Sequence, residues 1–450
     1  MDYEFRIIIE KVAVSSQAVV KRDTIKIYDL KKPESILELG LRHTEQISLL
    51  SKVQNAFLAE QSLLLDLGFD ACPQCGKKLF RNGFMLSNFH AVFSDHKLRL
   101  QKHRCKNPEC QWQSTPTTSS VFGTDTHPDL SKLQCEQGAL HSYREAQDNL
   151  EQLNCQKRSV NNHVQIQHII KQVGERLSQE NQTPPGPEDW LEAAPELIVQ
   201  VDGGHIPTKE KDKRSFEALS GIVYRPEHIA VIDEHHRQIT DKCCVISALD
   251  DQQASIKTYL YHAALKQGLS LETQVTALAD GAANCWLAIS VLKPHCQRLE
   301  LILDWFHIGM KFQKVKNVLG ELLCDSLESA KWSLWQGEAD KALQQLCLLR
   351  DNITDEKPRS KLKGLHDYLK NNRQYLVNYS EREKANQVFT SQVIESQIDT
   401  IINTRHKRKQ KMQWSREGAH NVLQIRAKMV SNEWEESWLE LVLPEAKKAA

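Results

Sequence analysis

The chain opens with short runs in which apolar and polar positions alternate, FRIIIEKVAV and TIKIYDL, and these predict strands. Pro33, Glu34 and Ser35 lead into a stripe of Leu37, Leu41, Ile47, Leu50, Phe57 and Leu64, which predicts one long amphipathic helix. Core packing is the commoner reason for such a stripe, with self-association as the other. Further on, helical periodicity predicts three short helices, Ser131 to Tyr143, Arg144 to Asn154 and Ser159 to Leu177. The last two have the proportions of a helix-turn-helix with Ser159 as the cap. Its first turns would present Asn161, Asn162, His163 and Gln165 to a major groove; a plain helical bundle is the alternative. The breaker-rich stretch TPPGPEDW, 183–190, reads as a linker.

From 190 the pattern changes. LIVQVDG, ALSGIVY and CCVISAL read as strands, QQASIKTYLYHAALKQG as a helix, then QVTALADG and RLELILD as strands around a helix near Trp286 to Leu292. Three strands, a helix, a strand, a helix and a strand is the order of a ribonuclease H-like core. About eighty residues of helical pattern follow Asp304. The chain then returns with QVFTSQVIESQIDTIINTR, where Ile394, Ile398, Ile401 and Ile402 mark an apolar face with Glu395 beside it. Asp202 and Asp280 each close an apolar run, so Asp202, Asp280 and Glu395 form a candidate metal-binding trio for two-metal phosphoryl chemistry. Taken singly, an Asp after a strand is more often a turn or cap residue.

The 450 residues exceed what one core usually organises, so two to four domains are expected. Apolar runs fall far short of the ~18 residues that cross a bilayer, and MDYEFRIIIEK lacks a signal core. No membrane association is expected, and a reducing cytoplasm fits 12 cysteines without a secretory signal. The first pair, CPQCGKK with Cys72 and Cys75, is a metal knuckle, while CKNPEC with Cys105 and Cys110 is more widely spaced. One structural Zn2+ in a zinc-ribbon-like module is the reading, against unliganded thiols; His90, His96 and His103 are spare ligands.

The 58 basic and 58 acidic residues balance, yet cations cluster locally. Eight Lys or Arg lie between Lys77 and Lys106 against Asp95 alone, and Arg405, Lys407, Arg408, Lys409 and Lys411 follow Glu395. Such clusters neutralise phosphates, or else form a solvated face. Lys411, Trp414 and His420 are further candidates for phosphate contact or base stacking, with helix packing as the alternative.

VDGGHI, ADGAANCW, LDWFHIGMKFQ and ESQIDTIINTRHKRKQKMQWSREGAHNVLQIR together resemble the DDE insertion-sequence transposases of the ISKra family, over roughly 70–430. The resemblance implies that Asp202, Asp280 and Glu395 are the catalytic triad, with catalytic Mg2+ or Mn2+. Asp304 and His307 match a motif ahead of the helical insertion that carries Asp or Cys, then His; this chain has Asp, which leaves open whether Asp304 orients His307, contacts DNA or assists the metal site. His307 would donate a hydrogen bond to a phosphate or an acid, or be a satisfied buried histidine. The implied partners are double-stranded DNA, as element-end inverted repeats and as target, and further copies of the chain in a dimer or larger assembly, in a bacterial, nucleoid-associated cytoplasm. The fold class is a multidomain α/β chain. It comprises an N-terminal segment of unassigned role (1–66), a zinc-ribbon-like DNA-binding module (67–126) and a helix-turn-helix-like module (127–180). A ribonuclease H-like mixed-sheet catalytic core (190–304 and 386–430) with an all-helical insertion (305–385) and a C-terminal tail (431–450) complete it. The competing functions are a DNA-binding regulator on the same scaffold and a structure-selective nuclease.

Overall fold

The computed structural model describes every residue except 1–2, 66–69, 155–156, 188–189, 232–236, 250–251, 392–394, 408–411 and 450, with backbone alone at 231, 237, 321–322, 395–400 and 443–449. The chain forms two compact units, 1–170 with 436–450, and 171–435. No helix among the described residues is long and apolar enough to cross a membrane.

In the first unit β1 (Tyr3–Val12) and β2 (Val19–Leu30) pair as an antiparallel hairpin. The helix expected from Pro33 starts later, as α1 (His43–Leu64), because Gly40 turns the backbone at φ +77 and Glu45 reaches back to accept the N–H of Arg42 at 3.0 Å. Leu37 is left exposed. β3 (Leu79–His90) and β4 (Asp95–Cys105) form a second antiparallel pair. Alternation on β4 buries His96, Leu98 and Leu100 and exposes Lys97 and Arg99. The short helix α2 (Thr118–Phe122) follows, then α3 (Pro128–Leu140), with proline in its first turn, and α4 (Tyr143–Asn154), which Ser142 and Glu145 cap reciprocally. α5 (His163–Gln182) begins in this unit and continues into the second. Asn162 caps it instead of Ser159, because its Oδ1 accepts the N–H groups of Val164 and Gln165 at 3.0 and 2.9 Å. Near its start α5 crosses α3 at Gly138, where an added Cβ would meet Ile166 at 2.7 Å.

The second unit is built on a five-stranded mixed sheet. Its strands are β5 (Glu196–Pro207), β6 (Ser215–Tyr224), β9 (Cys243–Ser247), β10 (Gln274–Ala279) and β11 (Arg298–Leu303), in spatial order β11-β10-β5-β6-β9. β10 is parallel to both β5 and β11, while β6 is antiparallel to β5 and β9. A small hairpin of β7 (Ile229–Val231) and β8 (Arg237–Ile239), absent from the periodicity reading, lies between β6 and β9 in sequence. α6 (Ala254–Lys266) packs on the face that carries Gly221, against which Leu260 is set, and α7 (Ala283–Ile289) links β10 to β11. Both faces of the central strands are covered, so β6 and β9 read as continuous apolar runs. Leu197, Val199, Ile222, Ile246, Leu278 and Ile302 are fully buried, each worth about 1.5–3 kcal/mol of apolar transfer.

After β11 come five helices, α8 (Trp305–Lys316), α9 (Glu321–Trp335), α10 (Ala339–Asp351), α11 (Glu356–Asn371) and α12 (Tyr379–Lys384). α13 (Glu395–His406) and α14 (Arg416–Val430) then return to the sheet. Gln424 on α14 donates to the Ile246 carbonyl of β9 at 2.8 Å. α15 (Trp434–Ala449) ends the chain.

Candidate active site

Asp202 does not end its strand, as the apolar run suggests: β5 continues to Pro207 because Gly203–Pro207 pairs with β6. Val201 lies beside Ala279 in the parallel register of β5 and β10, so Asp202 and Asp280 occupy the next matching positions on neighbouring chains. β10 ends at Ala279, and Gly281 then takes φ +94 to turn the backbone away. Asp202 and Asp280 line one cleft together with Gln200, Asp304, His307 and Ser391.

Two consecutive glycines after Asp202 have separate steric causes. A Cβ on Gly203 would lie 2.4 Å from Glu217 Oε1, and one on Gly204 would lie 2.7 Å from Ile402 Cδ1. Because side chains alternate along a strand, Gly204 shares a face with Asp202, and α13 covers that face. At its far end α13 brings His406 against Trp414, with ring centroids 4.5 Å apart, and Trp414 is bridged to Thr208 just past β5. α13 therefore runs alongside β5 in the same direction. Its first residue, Glu395, stands two turns before Ile402 in the helix, about 10 Å back along the axis toward the level of Asp202. The Glu395 side chain lies outside the described residues.

A buried carboxylate ties this segment to the cleft. Asp304 caps α8 at 1% exposure, accepting the Phe306 N–H at 3.2 Å and His307 Nδ1 at 2.6 Å. It also accepts the Ser391 N–H at 2.8 Å and the Ser391 hydroxyl at 2.5 Å. Both oxygens of Asp304 are thus engaged internally, so it orients His307, one of three roles left open by the sequence. Ser391 lies four residues before Glu395, a reach of at most about 14 Å.

Burial raises the Asp202 carboxyl above its ordinary range; His307 and the Gly203 N–H oppose that, and Asp280 and Asp304 add to it. Burial pulls His307 toward the neutral form, but the hydrogen bond and charge of Asp304, with Asp202 and Asp280, raise it overall. Asp202, Asp280 and the buried Asp304 thus share the cleft with one imidazole, that of His307, which leaves it rich in negative charge. Residues without a sequence signal complete the surroundings. Tyr368 of α11 donates to the Asp280 carbonyl at 2.8 Å, with Lys311 4.2 Å above its ring. On β6, Glu217 accepts from Asn284 of α7.

In the first unit, Cys72, Cys75, Cys105 and Cys110 are the only group of three or more His, Cys, Asp or Glu among the described residues whose ligand atoms all lie within 4.8 Å of one another. Asp202, Asp280 and Asp304 line their cleft without closing to that spacing. The sulfurs of Cys72 and Cys110 are 3.8 Å apart and those of Cys75 and Cys105 3.4 Å. Thiolates about 2.3 Å from one zinc stand about 3.8 Å apart in a tetrahedron, so the cluster could bind such a metal. The Lys77 backbone N–H lowers the Cys75 thiol to about 7, toward the thiolate that metals take. Gly76 at φ +68 lets the knuckle close, with the Cys72 N–H bonded to the Lys77 carbonyl at 2.9 Å. The spare histidines are otherwise engaged: His90 pairs with Asp95 at 2.6 Å and His96 with Asn55 at 2.6 Å, and His103 joins neither the cluster nor these pairs.

Several DNA-contact candidates are placed elsewhere than the sequence suggests. Arg405 is 1% exposed with its guanidinium 4.7 Å over the ring of Trp414, itself 5% exposed; both pack the end of α13 because Trp414 is pinned to β5. His420 is buried, 3.0 Å from the Ser178 hydroxyl. Lys407 is exposed, whereas Arg408, Lys409 and Lys411 lie outside the described residues. Asn161 is fully buried and accepts from Gln134 at 3.0 Å, so it cannot meet a base edge. Asn162 is spent on the cap of α5, and the half-buried His163 bonds to Gln147 through its N–H at 2.9 Å. The open cations are instead on β3–β4, where Arg99 stacks 4.5 Å over the exposed Phe84 and Lys97 lies on the same face. Neither a scan against protein-family models nor a search of curated proteins returns a match.

Proposed function

We propose that the chain is a DDE transposase: it binds the ends of an insertion sequence, hydrolyses a phosphodiester there and joins the freed 3′ end to target DNA. The observation that carries this reading is the placement of Asp202, within β5, and Asp280, one residue past the parallel neighbour β10, at matching positions in a cleft where Asp304 also binds Ser391, four residues before Glu395. The strand order β11-β10-β5-β6-β9, with β6 antiparallel, supports a ribonuclease H-like core, and α8–α12 fit a helical insertion between its last strand and the helix bearing Glu395.

Asp202, Asp280 and Glu395 would hold Mg2+ or Mn2+. The ions, when bound, supply nucleophile activation and leaving-group stabilisation for in-line displacement at phosphorus. Asp304 accepts from His307 Nδ1, and in the protonated imidazolium, the form that Asp304, Asp202 and Asp280 favour, Nε2 would donate to a phosphate oxygen or to Asp202. The β3–β4 face carries Arg81, Lys97 and Arg99, with Asp95 at its end held by Arg158 and His90, and it fits a phosphate backbone. Zinc in the four-cysteine cluster would hold that hairpin in shape.

The test is purified protein with Mg2+ and DNA bearing the flanking ends of its gene. Nicking and joining are expected, and Asp202→Asn, Asp280→Asn and Glu395→Gln should each abolish both while end binding persists. Joining by any of the three overturns the reading. Nicking without joining makes the chain a nuclease, and end binding without either makes it a regulator.

A further inference from the structure

Glu217 stands on β6 opposite His205, on the sheet face turned away from Asp202. Its Oε1 occupies the space beside the bare Cα of Gly203, and its Oε2 accepts from the Asn284 side-chain amide. Asn284 lies in the first turn of α7, and its own Oδ1 accepts the Cys285 N–H at 3.0 Å, so the amide is used at both ends. Two residues earlier the Ala282 N–H donates to Asp280 Oδ1 at 2.8 Å. A chain of contacts thus runs from the centre of the sheet to the second acid: β6 holds Glu217, Glu217 holds Asn284, and the turn containing Asn284 holds the Asp280 carboxylate. On its other side the Asp280 carbonyl is held by Tyr368.

This arrangement has a cost that calls for a reason. A carboxylate placed near Asp202 and Asp280 adds negative charge to a site already rich in it, and burial raises the Glu217 carboxyl above its ordinary range; His205 and the Asn284 hydrogen bond oppose this, and Asp280 and Asp202 add smaller increments. A Gln or Ser at this position would avoid the repulsion. The gain is a charge-assisted hydrogen bond to Asn284, roughly twice as strong as a neutral one. It anchors the turn whose Ala282 N–H holds the Asp280 carboxylate.

We propose that Glu217 is a positioning residue for Asp280, holding its carboxylate beside Asp202 through the turn that carries Asn284, where a divalent cation would bind between them. The inference rests on the reading of the cleft as a divalent-cation centre. Partners of this kind typically change metal affinity by about 10–100-fold when removed.

Mn2+ binding to the full-length, zinc-loaded protein, followed by electron paramagnetic resonance and calorimetry, tests it, with Asp202→Asn as the background. Glu217→Ala should weaken Mn2+ binding by about 10–100-fold without shifting the melting temperature of the second unit. Glu217→Gln, whose carbonyl still accepts from Asn284, should restore most of the affinity. Asn284→Ala should match Glu217→Ala, and the double variant should be no worse than either, as two links in one chain require. Gly203→Ala, which fills the space taken by the carboxyl, should weaken binding with Glu217 still present. Wild-type affinity in Glu217→Ala overturns the inference. So does a Gln variant as weak as the Ala variant, since that makes the charge itself the ligand, and so do additive losses in the double variant. Wild-type protein binding no more Mn2+ than Asp202→Asn overturns the reading of the centre and the inference with it.

Discussion

His307 Nδ1 lies 2.6 Å from Asp304 Oδ2, and the same buried carboxylate holds both polar groups of Ser391. One acid therefore sets the imidazole beside Asp202 and anchors the segment leading to α13. Replacing Asp304 with Asn removes the charge that raises the His307 pKa and forces an amide donor against donors. Its expected cost is about 1–3 kcal/mol of stability, the range for an unsatisfied buried group. The pKa of His307 should fall, since the raised value comes from Asp304 working against burial. A histidine NMR titration reads this directly; an unmoved or higher pKa in Asp304→Asn would contradict the linkage.

Asp202 carries a buried charge whose carboxyl is raised chiefly by desolvation. A raised acid disfavours the fold once ionised, so the penalty to metal-free stability is full above the folded pKa, shrinks as pH falls through that value and is gone below the unfolded pKa of about 4. Asp202→Asn removes the penalty. It should raise the melting temperature of the metal-free protein by the equivalent of about 0.5–2 kcal/mol and abolish nicking. Scanning calorimetry at neutral pH checks the first part, and a lower melting temperature would rule out the stored penalty.

The four cysteines should hold one zinc per chain. Elemental analysis of purified protein should find it, Cys72→Ser or Cys75→Ser should remove it, and a strong chelator should lower the melting temperature of the first unit while leaving the second unchanged. Well-folded protein without zinc would refute the ligand set.

Arg158, 6% exposed, binds Asp95 together with the Ala91 and Val92 carbonyls and Asn154, tying the β3–β4 turn to the end of α4. Burial raises the Asp95 carboxyl, but Arg158 and His90 outweigh it and leave it below the usual range. A depressed acid contributes stability above its unfolded pKa of about 4 and loses it as pH falls through the folded value. Asp95→Asn should cost about 1–3 kcal/mol at neutral pH and flatten the acid limb of the stability curve. Denaturant titrations between neutral and acid pH measure both; parallel curves for the two proteins would sink this account.

The strands and helices of the second unit were legible because burial on both faces leaves unbroken apolar runs, while helices keep a stripe. Asp202 and Asp280 were legible because each follows such a run. The cysteine cluster was legible because paired thiols have a fixed spacing. Glu217, Asn284, Tyr368 and Ser391 carried no signal, because each acts through a partner 67 to 88 positions away and none belongs to a spacing pattern. Arg405 and Trp414 misled for the opposite reason. A basic run with an aromatic reads as a nucleic-acid surface, yet the bridge from Trp414 to Thr208 draws both inward. Asn162 took the cap from Ser159 because an Asx side chain reaching two N–H groups outcompetes a serine three residues too early.

The hydroxyl of Ser391 fastens the chain only four residues ahead of Glu395, which works as a short leash. A group so tied explores a tiny volume, so its local concentration at the cleft is that of an intramolecular partner, in the millimolar range or above. Under the proposed function, bringing Glu395 to the cleft then loses little entropy.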